Sequence, residues 1–159
     1  MIKEIFLLSI VLALAIESAS ATTVLKCGTT DPLPDSNAVQ IKNCNEPPCT
    51  LKRGTKIWIK QTFKPTRNIA SLTTKASGTL NGGVTKEFEN VDGSNACDFI
   101  SDPSGTPVGC PLTKDTEYVY KREFPIARKY PVSNVKVHWA LVENGEDITC
   151  FEVPVHIRQ

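Results

Sequence analysis

Apolar and polar residues alternate along several stretches of the chain, which is the pattern of a β-strand with one buried face. The clearest stretches are KIWIKQTF (56–63), EYVYKREF (117–124), VKVHWALV (135–142) and CFEVPVHI (150–157). Weaker versions occur in AVQIKN (38–43), ASLTTKASGTL (70–80) and VTKEFEN (84–90). After residue 21, no segment keeps the 3.6-residue apolar period of a helix over three turns. The alternation therefore predicts short strands and almost no helix.

Turn-forming sequences separate these stretches, namely RGT, NGG, DGSN, DPSGTP and ENGED. Short strands joined by frequent turns are typical of an antiparallel β-sandwich, so the predicted fold class is all-β. Pro154 lies inside the last strand pattern, and a proline removes one donor from a sheet. We therefore expect that strand to lie at an edge or to be bulged at Pro154.

The first 21 residues have a different character from the rest of the chain. Lys3 precedes an apolar run from Ile5 to Ile16, and the segment closes with ESASA, which holds an A-x-A pattern. The run is shorter than the ~20 residues that a membrane-spanning helix needs. This pattern predicts a secretory signal peptide at residues 1–21 and a single mature domain at residues 22–159.

The charge of the chain is nearly balanced. It carries 18 Lys and Arg against 17 Asp and Glu, a formal net charge of +1 at pH 7. No long run of like charges occurs. This composition argues against nucleic-acid binding and against strong attraction to an anionic membrane. A hydrophobic small molecule is a compatible partner.

Six cysteines lie in the mature part, an even number that indicates disulfides in a secreted chain. Cys44 and Cys49 flank NEPP, and this close pair predicts a local disulfide. It is not the C-x-x-C pattern of redox proteins. A zinc site would need a second close pair of ligands, which the sequence does not supply, so we expect no metal and no cofactor. From spacing alone, three pairings remain open for Cys27, Cys97, Cys110 and Cys150.

The sequence does not indicate an enzyme. Both histidines of the mature chain, His138 and His156, fall on the outward faces of predicted strands. With every cysteine paired, no thiolate is left as a nucleophile, and no G-x-S-x-G motif occurs. The carboxylates of Glu143, Glu146 and Asp147 cluster in a turn, where solvation is the expected role. We therefore predict no catalytic residues.

Several short motifs together resemble the ML lipid-recognition family. They are CG at Cys27, PC-x-L-x-x-G from Pro48 to Gly54, DG…C from Asp92 to Cys97, CPL-x-K from Cys110 to Lys114, YP at Tyr130 and CFEVPV from Cys150 to Val155. Their order and spacing span the chain from Cys27 to Ile157. Within that family, the pattern is more similar to the Niemann-Pick type C-two group than to the group-two mite allergens.

The resemblance implies an immunoglobulin-like sandwich with a lipid pocket between its two sheets. It also implies the disulfides Cys27–Cys150, Cys44–Cys49 and Cys97–Cys110. One feature departs from the family, because the loop from Cys97 to Cys110 carries the extra sequence SDPSGTP. We expect this longer loop to narrow or reshape the mouth of the pocket.

The resemblance also implies which residues bind the lipid. The inward-facing residues that match the pocket positions of the family are Ile57, Ile59, Phe63, Pro125, Ile126, Tyr130, Val135, Val137, Trp139 and Phe151. Phe88 matches a further pocket position of the family. Ile126 and Tyr130 are the strongest of these, because FPIARKYP (124–131) resembles the segment at the entrance of the family's pocket. Trp58 is excluded, because it lies on the opposite face of its strand.

The resemblance favours a secreted, monomeric lipid carrier. Such a carrier holds a sterol, a fatty acid or a semiochemical-like lipid and makes transient contact with a membrane or receptor. Its destination is the extracellular space or the lysosomal lumen. Two alternatives are an innate-immune protein that recognises a microbial lipid and a plain immunoglobulin-like interaction module with a filled core.

Overall fold

The fold was described from a computed structural model, which defines residues 20–35 and 38–159. Residues 1–19, which make up most of the predicted signal peptide, lie outside the described residues, and the signal peptide therefore stays a prediction. None of the helices among the described residues has the length and apolar character of a membrane span.

Two sheets make up the regular structure of the described residues. The strands are β1 Val39–Ile41, β2 Cys49–Lys52, β3 Lys56–Phe63, β4 Thr73–Leu80, β5 Thr85–Glu87, β6 Ile100–Ser101, β7 Tyr118–Pro125, β8 Ser133–Glu143 and β9 Glu146–Arg158. A short 3-10 helix, Ala96–Phe99, precedes β6. One sheet has the order β1-β3-β7-β6 and the other the order β2-β9-β8-β4-β5. The predicted all-β class and two-sheet sandwich are confirmed.

The inward faces of the two sheets meet in one apolar core. Trp139 on β8 packs against Phe124 and Tyr120 on β7, with ring centroids 5.2 and 6.4 Å apart. Such aromatic pairs contribute about 0.5–1.5 kcal/mol beyond the area they bury. Trp139, Tyr120 and Phe151 are fully buried. These contacts hold the sheets face to face at the centre of the sandwich.

The alternation predicted for β8 is confirmed, but the inward position predicted for Pro125 is wrong. Val135 and Val137 are buried, and Lys136 between them is exposed. On β7 the same alternation turns Phe124 inward, where it is buried, and leaves Pro125 exposed. Because successive strand residues point to opposite faces, Phe124 and Pro125 cannot both face the core.

β2 departs from the antiparallel pairing that the sequence predicted. β2 runs parallel to β9, from Cys49 opposite Val155 to Lys52 opposite Arg158. The two strands lie far apart in the sequence, as parallel neighbours must, because no hairpin can join them. β9 is therefore not an edge strand, and that expectation was wrong. Pro154 is tolerated because the ladder with β2 begins one residue later, at Val155.

Three disulfides join the six cysteines. Cys27 is bonded to Cys150, Cys44 to Cys49 and Cys97 to Cys110. This is the pairing that the resemblance implied. The first of these bonds fixes the start of the described chain to the centre of β9, and the other two close local loops.

The loop between Cys97 and Cys110 lies away from the pocket entrance that the sequence predicted. Its strand β6 pairs with Tyr120 and Val119, whereas the chain leaves β7 at the other end, after Pro125, to form the predicted entrance segment. Asp102 organises the loop tip by accepting hydrogen bonds from the backbone N–H groups of Ser104 and Thr106, each 2.9 Å. The expectation that this loop shapes the entrance was wrong.

Candidate ligand-binding site

A cavity of about 290 Å³ opens at one end of the sandwich. It lies where β4 and β8 meet, because Leu80 at the end of β4 pairs with Val135 near the start of β8. The segment after β5 and the segment 129–131 close its sides. The residues that line it are Gly78, Leu80, Lys86, Glu87, Phe88, Glu89, Lys129, Tyr130, Pro131, Val135 and Ile157.

Two aromatic side chains, Phe88 and Tyr130, stand at the inner end of this cavity. Their ring centroids are 6.0 Å apart, and the ring of Phe88 also lies 6.4 Å from that of Phe124. Gly78 leaves room for Phe88, because a Cβ built on Gly78 would lie 3.3 Å from the Phe88 ring. The same Cβ would lie 2.7 Å from a methyl group of Val135, which is closer than real Cβ atoms approach. The missing side chain of Gly78 therefore shapes the cavity wall.

A smaller, wholly apolar void of about 20 Å³ lies deeper, between the sheets. Its lining residues are Leu51, Phe88, Phe124, Ile126, Tyr130, Val135, Val137, Val155 and Ile157. Phe88, Tyr130, Val135 and Ile157 belong to both linings, so a continuous apolar wall leads from the surface into the core. The space between the sheets is nearly filled in this state.

Charged groups surround the outer cavity and are absent from the lining of the inner void. Lys129 and Glu89 form an ion pair at the rim, where both side chains are exposed. Partial burial, and after it the negative charge of Glu89, raises the pKa of Tyr130 above its ordinary value. The Tyr130 hydroxyl is therefore protonated at neutral pH and able to donate a hydrogen bond to a polar group at the mouth.

The turn between β2 and β3 holds the entrance segment in place. The N–H of Gly54 donates to the carbonyl of Ile126 over 2.7 Å, and the N–H of Ile126 donates to the carbonyl of Thr55 over 2.8 Å. The guanidinium of Arg53 donates to the carbonyls of Arg128 and Tyr130, each over 3.2 Å. These bonds fix the backbone that carries Tyr130, and the Ile126 side chain is buried in the core.

The structure brings five of the predicted lipid-binding residues to the walls of the two cavities. They are Phe88, Ile126, Tyr130, Val135 and Val137. A second group lies in the packed core and lines neither cavity, namely Ile57, Ile59, Trp139 and Phe151. Phe63 is half-buried and packs on Tyr118, with 6.3 Å between ring centroids. Pro125 is exposed, as described above.

The sequence interpretation missed other wall residues. Val155 and Ile157 share the inward alternation of Phe151, so the strand pattern already contained them. Phe124 carries the same signal on β7. Gly78 has no side chain, and the polar residues Lys86 and Glu87 lie in the short edge strand β5, so no sequence pattern marked them.

His138 lies on the outward face, next to the disulfide that joins the two ends of the domain. Its Nδ1 is 3.3 Å from Glu152 Oε1, and its Nε2 is 3.6 Å from the sulfur of Cys150. Cys27, His138 and Cys150 are close enough together to resemble a metal site. Both sulfurs are bonded to each other, however, so neither offers the thiolate that a metal would need. The arrangement is consistent with a structural role.

Comparison with known proteins gives a consistent result. The sequence profile of the ML domain family matches residues 21–157. The NPC intracellular cholesterol transporter 2 of Danio rerio is 30% identical over 149 residues, covering 91% of this chain and 90% of that protein. The protein of the same name from Canis lupus familiaris is 31% identical over 123 residues, covering 75% and 74%.

A solved structure matches the fold as well. The crystal structure of a Niemann-Pick type C2 protein from Japanese carpenter ant superposes with a TM-score of 0.63 at 25% sequence identity. The match covers 87% of this chain and 96% of that structure. The match therefore extends over most of both chains and is not confined to one part of the sandwich.

Proposed function

Because this chain belongs to the ML domain family, we propose that it is a secreted carrier that binds one sterol, fatty acid or similar lipid between its two sheets. The relatives named as cholesterol transporters support the lipid-carrier class. The observation that carries the proposal is the continuous apolar wall from the outer cavity to the inner void, through Phe88, Tyr130, Val135 and Ile157.

Burial of the ligand provides the affinity. Each CH₂ group removed from water contributes about 0.8 kcal/mol, so a ligand needs few polar contacts to bind usefully. The apolar lining of the inner void suits the hydrocarbon part of a lipid. The polar end then remains at the outer cavity, within reach of the Tyr130 hydroxyl. Since the inner void is small, entry of the hydrocarbon part requires the Phe88 and Tyr130 side chains to move.

The disulfides and the position of the cavity mouth support the proposed compartment and the proposed release of the lipid. Three disulfides suit an oxidising compartment such as the extracellular space or the lysosomal lumen. In the proposed cycle the protein works as a monomer and releases its ligand during transient contact with a membrane or receptor. The mouth lies at one end of the sandwich, so this end is the contact point.

Displacement of a fluorescent sterol or fatty acid from the purified protein tests the function. Val135→Trp places a large side chain on the wall shared by both cavities, and we expect it to weaken binding at least about tenfold, equivalent to about 1.4 kcal/mol. Val132→Trp is the matched control, because Val132 is exposed nearby and lines neither of these two cavities. The control should bind like the unmodified protein.

Two results would contradict the carrier function. One is that no sterol or fatty acid binds the unmodified protein, as expected of an interaction module with a filled core. The other is that Val135→Trp and Val132→Trp bind equally well, which would place the lipid elsewhere. Native mass spectrometry of the secreted protein would then identify the class of any lipid that co-purifies.

A further inference from the structure

A further recess, distinct from the outer cavity and the inner void, lies beside the entrance segment. It has a volume of about 250 Å³ and is lined by Arg53, Arg128 and Gln159. Arg53 begins the turn between β2 and β3, and Arg128 lies two residues before Tyr130. The recess thus combines two guanidinium groups next to the mouth of the proposed lipid site.

The positive charge of this recess has no acidic partner among the described residues. No carboxylate there lies within 4.0 Å of the charged nitrogens of Arg53 or Arg128, although six ion pairs of other described Lys and Arg side chains meet that limit. One Arg53 nitrogen donates to two backbone carbonyls, as described above. The Arg128 guanidinium has no hydrogen bond to the described protein and is free to bind a ligand.

The backbone makes room for this arrangement at Gly54. The φ angle of Gly54 is +77°, a left-handed conformation that favours glycine. A Cβ there would lie 3.1–3.2 Å from the Arg128 guanidinium. Gly54 is the glycine of the PC-x-L-x-x-G motif. The motif therefore ends in a residue that lets Arg128 lie flat over the turn beside Arg53.

Further cations extend the positive surface around the recess. Lys52 and Arg158 are direct neighbours across the β2–β9 pair, both are exposed, and neither has a carboxylate within the ion-pair limit among the described residues. Like charges directly opposite each other destabilise a sheet. Lys52 precedes Arg53 and Arg158 precedes Gln159, so both cations adjoin residues that line the recess.

We propose that the recess binds a phosphate group, through the paired guanidinium donors of Arg53 and Arg128. Guanidinium groups bind phosphate by two parallel hydrogen bonds, and such charge-assisted bonds are stronger than neutral ones. The phosphate belongs either to a lipid headgroup or to a free anion. Binding of a lipid headgroup would turn the mouth of the lipid site toward a bilayer. Exposed Val132 lies beside Arg158 on the same surface. The headgroup as the source of the phosphate rests on the proposed function.

Flotation with lipid vesicles and titration with inorganic phosphate test the two sources. The vesicles contain phosphatidylcholine alone or phosphatidylcholine mixed with phosphatidylglycerol. The titration is followed by the NMR amide shifts of Gly54 and Arg128. The variants are Arg128→Gln, which removes charge and donors, and Arg128→Lys, which keeps the charge only. Lys75→Gln is the matched control, because Lys75 is exposed on β4 outside the recess.

We expect Arg128→Gln to weaken binding to phosphatidylglycerol vesicles at least about fivefold, and Arg128→Lys to restore only part of it, since an ammonium lacks the fork geometry. Lys75→Gln should stay within about twofold of the unmodified protein, as expected of a screened surface charge. If vesicle binding and phosphate binding both depend on Arg128, the source of the phosphate is a lipid headgroup. If only the binding of inorganic phosphate depends on Arg128, the ligand is a free anion. Equal losses in Arg128→Gln and Lys75→Gln, or no dependence on Arg128 in either assay, would overturn the phosphate site.

The lipid displacement assay separates this proposal from the carrier function. Arg128 lines neither the outer cavity nor the inner void. In the absence of vesicles, Arg128→Gln should therefore bind a fluorescent fatty acid as the unmodified protein does. If the protein binds no lipid but binds phosphate in a way that depends on Arg128, the carrier function is refuted and the recess remains an anion site. Loss of fatty-acid binding in Arg128→Gln would contradict a separate recess.

Discussion

At the residue scale, the candidate site depends on a residue without a side chain. Gly78 faces the cavity, and its backbone is not in the left-handed region, so conformational freedom does not explain the glycine. The explanation is steric: the Phe88 ring and Val135 occupy the space that a side chain would take. Phe88 can therefore lie against β4 and extend the apolar wall toward the inner void.

This packing predicts that Gly78→Ala destabilises the protein. Overfilling a packed site costs about 1–3 kcal/mol, because neighbours must shift off their preferred rotamers. Urea denaturation measures the loss. Ser77→Ala, on the opposite face of β4, should change the free energy of unfolding by no more than about 0.5 kcal/mol. Equal stability of Gly78→Ala and the unmodified protein would show that Val135 and Phe88 shift without cost, and would contradict this packing.

Glu143 is a second residue whose environment sets its chemistry. It is buried at the end of β8, so the expectation that it is solvated in a turn was wrong. Its carboxylate accepts hydrogen bonds from Arg67 and from the backbone N–H groups of Ala70 and Ser71. The bond from Arg67, supported by these backbone donors, lowers the pKa of Glu143 below its ordinary value. The charged form is therefore favoured by folding.

The direction of this pKa change predicts acid sensitivity. Since the folded pKa lies below the unfolded one, Glu143 stabilises the fold fully above the ordinary carboxyl range, at about pH 4.3 and higher. The contribution is lost as the pH falls through the folded pKa. Urea denaturation between neutral and acidic pH should show a smaller loss of stability in Glu143→Gln than in the unmodified protein. A parallel loss in both proteins would contradict this role, and Glu117→Gln, at an exposed position, serves as the control.

At the element scale, the turn between β2 and β3 supports the entrance segment, although neither has regular secondary structure. Arg53→Gln removes the hydrogen bonds to the carbonyls of Arg128 and Tyr130. A lost hydrogen bond of this kind costs about 1 kcal/mol, so hydrogen exchange at the Tyr130 amide should become about fivefold faster. Amides of β8 and β9 should exchange at unchanged rates. Uniform acceleration across the chain would instead indicate global destabilisation.

The sequence predicted the strong strands better than the weak ones, for a physical reason. β3, β7, β8 and β9 each bury one face along their length, so their composition alternates. β2 and β6 are short and were not predicted. The parallel placement of β2 depends on contacts with β9 that are distant in sequence.

The candidate site was predicted from the family resemblance and only partly from strand alternation. Alternation identified Val135 and Val137 as inward residues, but it could not separate cavity walls from filled core. Trp139 and Phe151 show this, since they share the pattern and are fully packed. Which inward residues border a cavity depends on how the sheets meet and on loops such as the one carrying Tyr130.

At the scale of the whole molecule, the three disulfides differ in how much of the chain they constrain. Cys27 and Cys150 are 123 residues apart in sequence, and Cys44 and Cys49 only five. Loop entropy predicts that the long bridge contributes about 5 kcal/mol and the short one about 2 kcal/mol. The double variant Cys27→Ser/Cys150→Ser should therefore lose more stability in urea than Cys44→Ser/Cys49→Ser. The reverse order would show that the ends are held mainly by packing.

The central claim is that a lipid enters between the sheets past Phe88 and Tyr130. Photo-crosslinking with a diazirine-bearing fatty acid or sterol, followed by mass spectrometry of the peptides, tests it most directly. The account predicts labelling along the shared wall and the inner void, at Phe88, Tyr130 and Val137, and competition by excess unlabelled lipid. Labelling confined to outward-facing residues such as Trp58 would contradict this claim. Labelling that excess unlabelled lipid fails to suppress would contradict it as well.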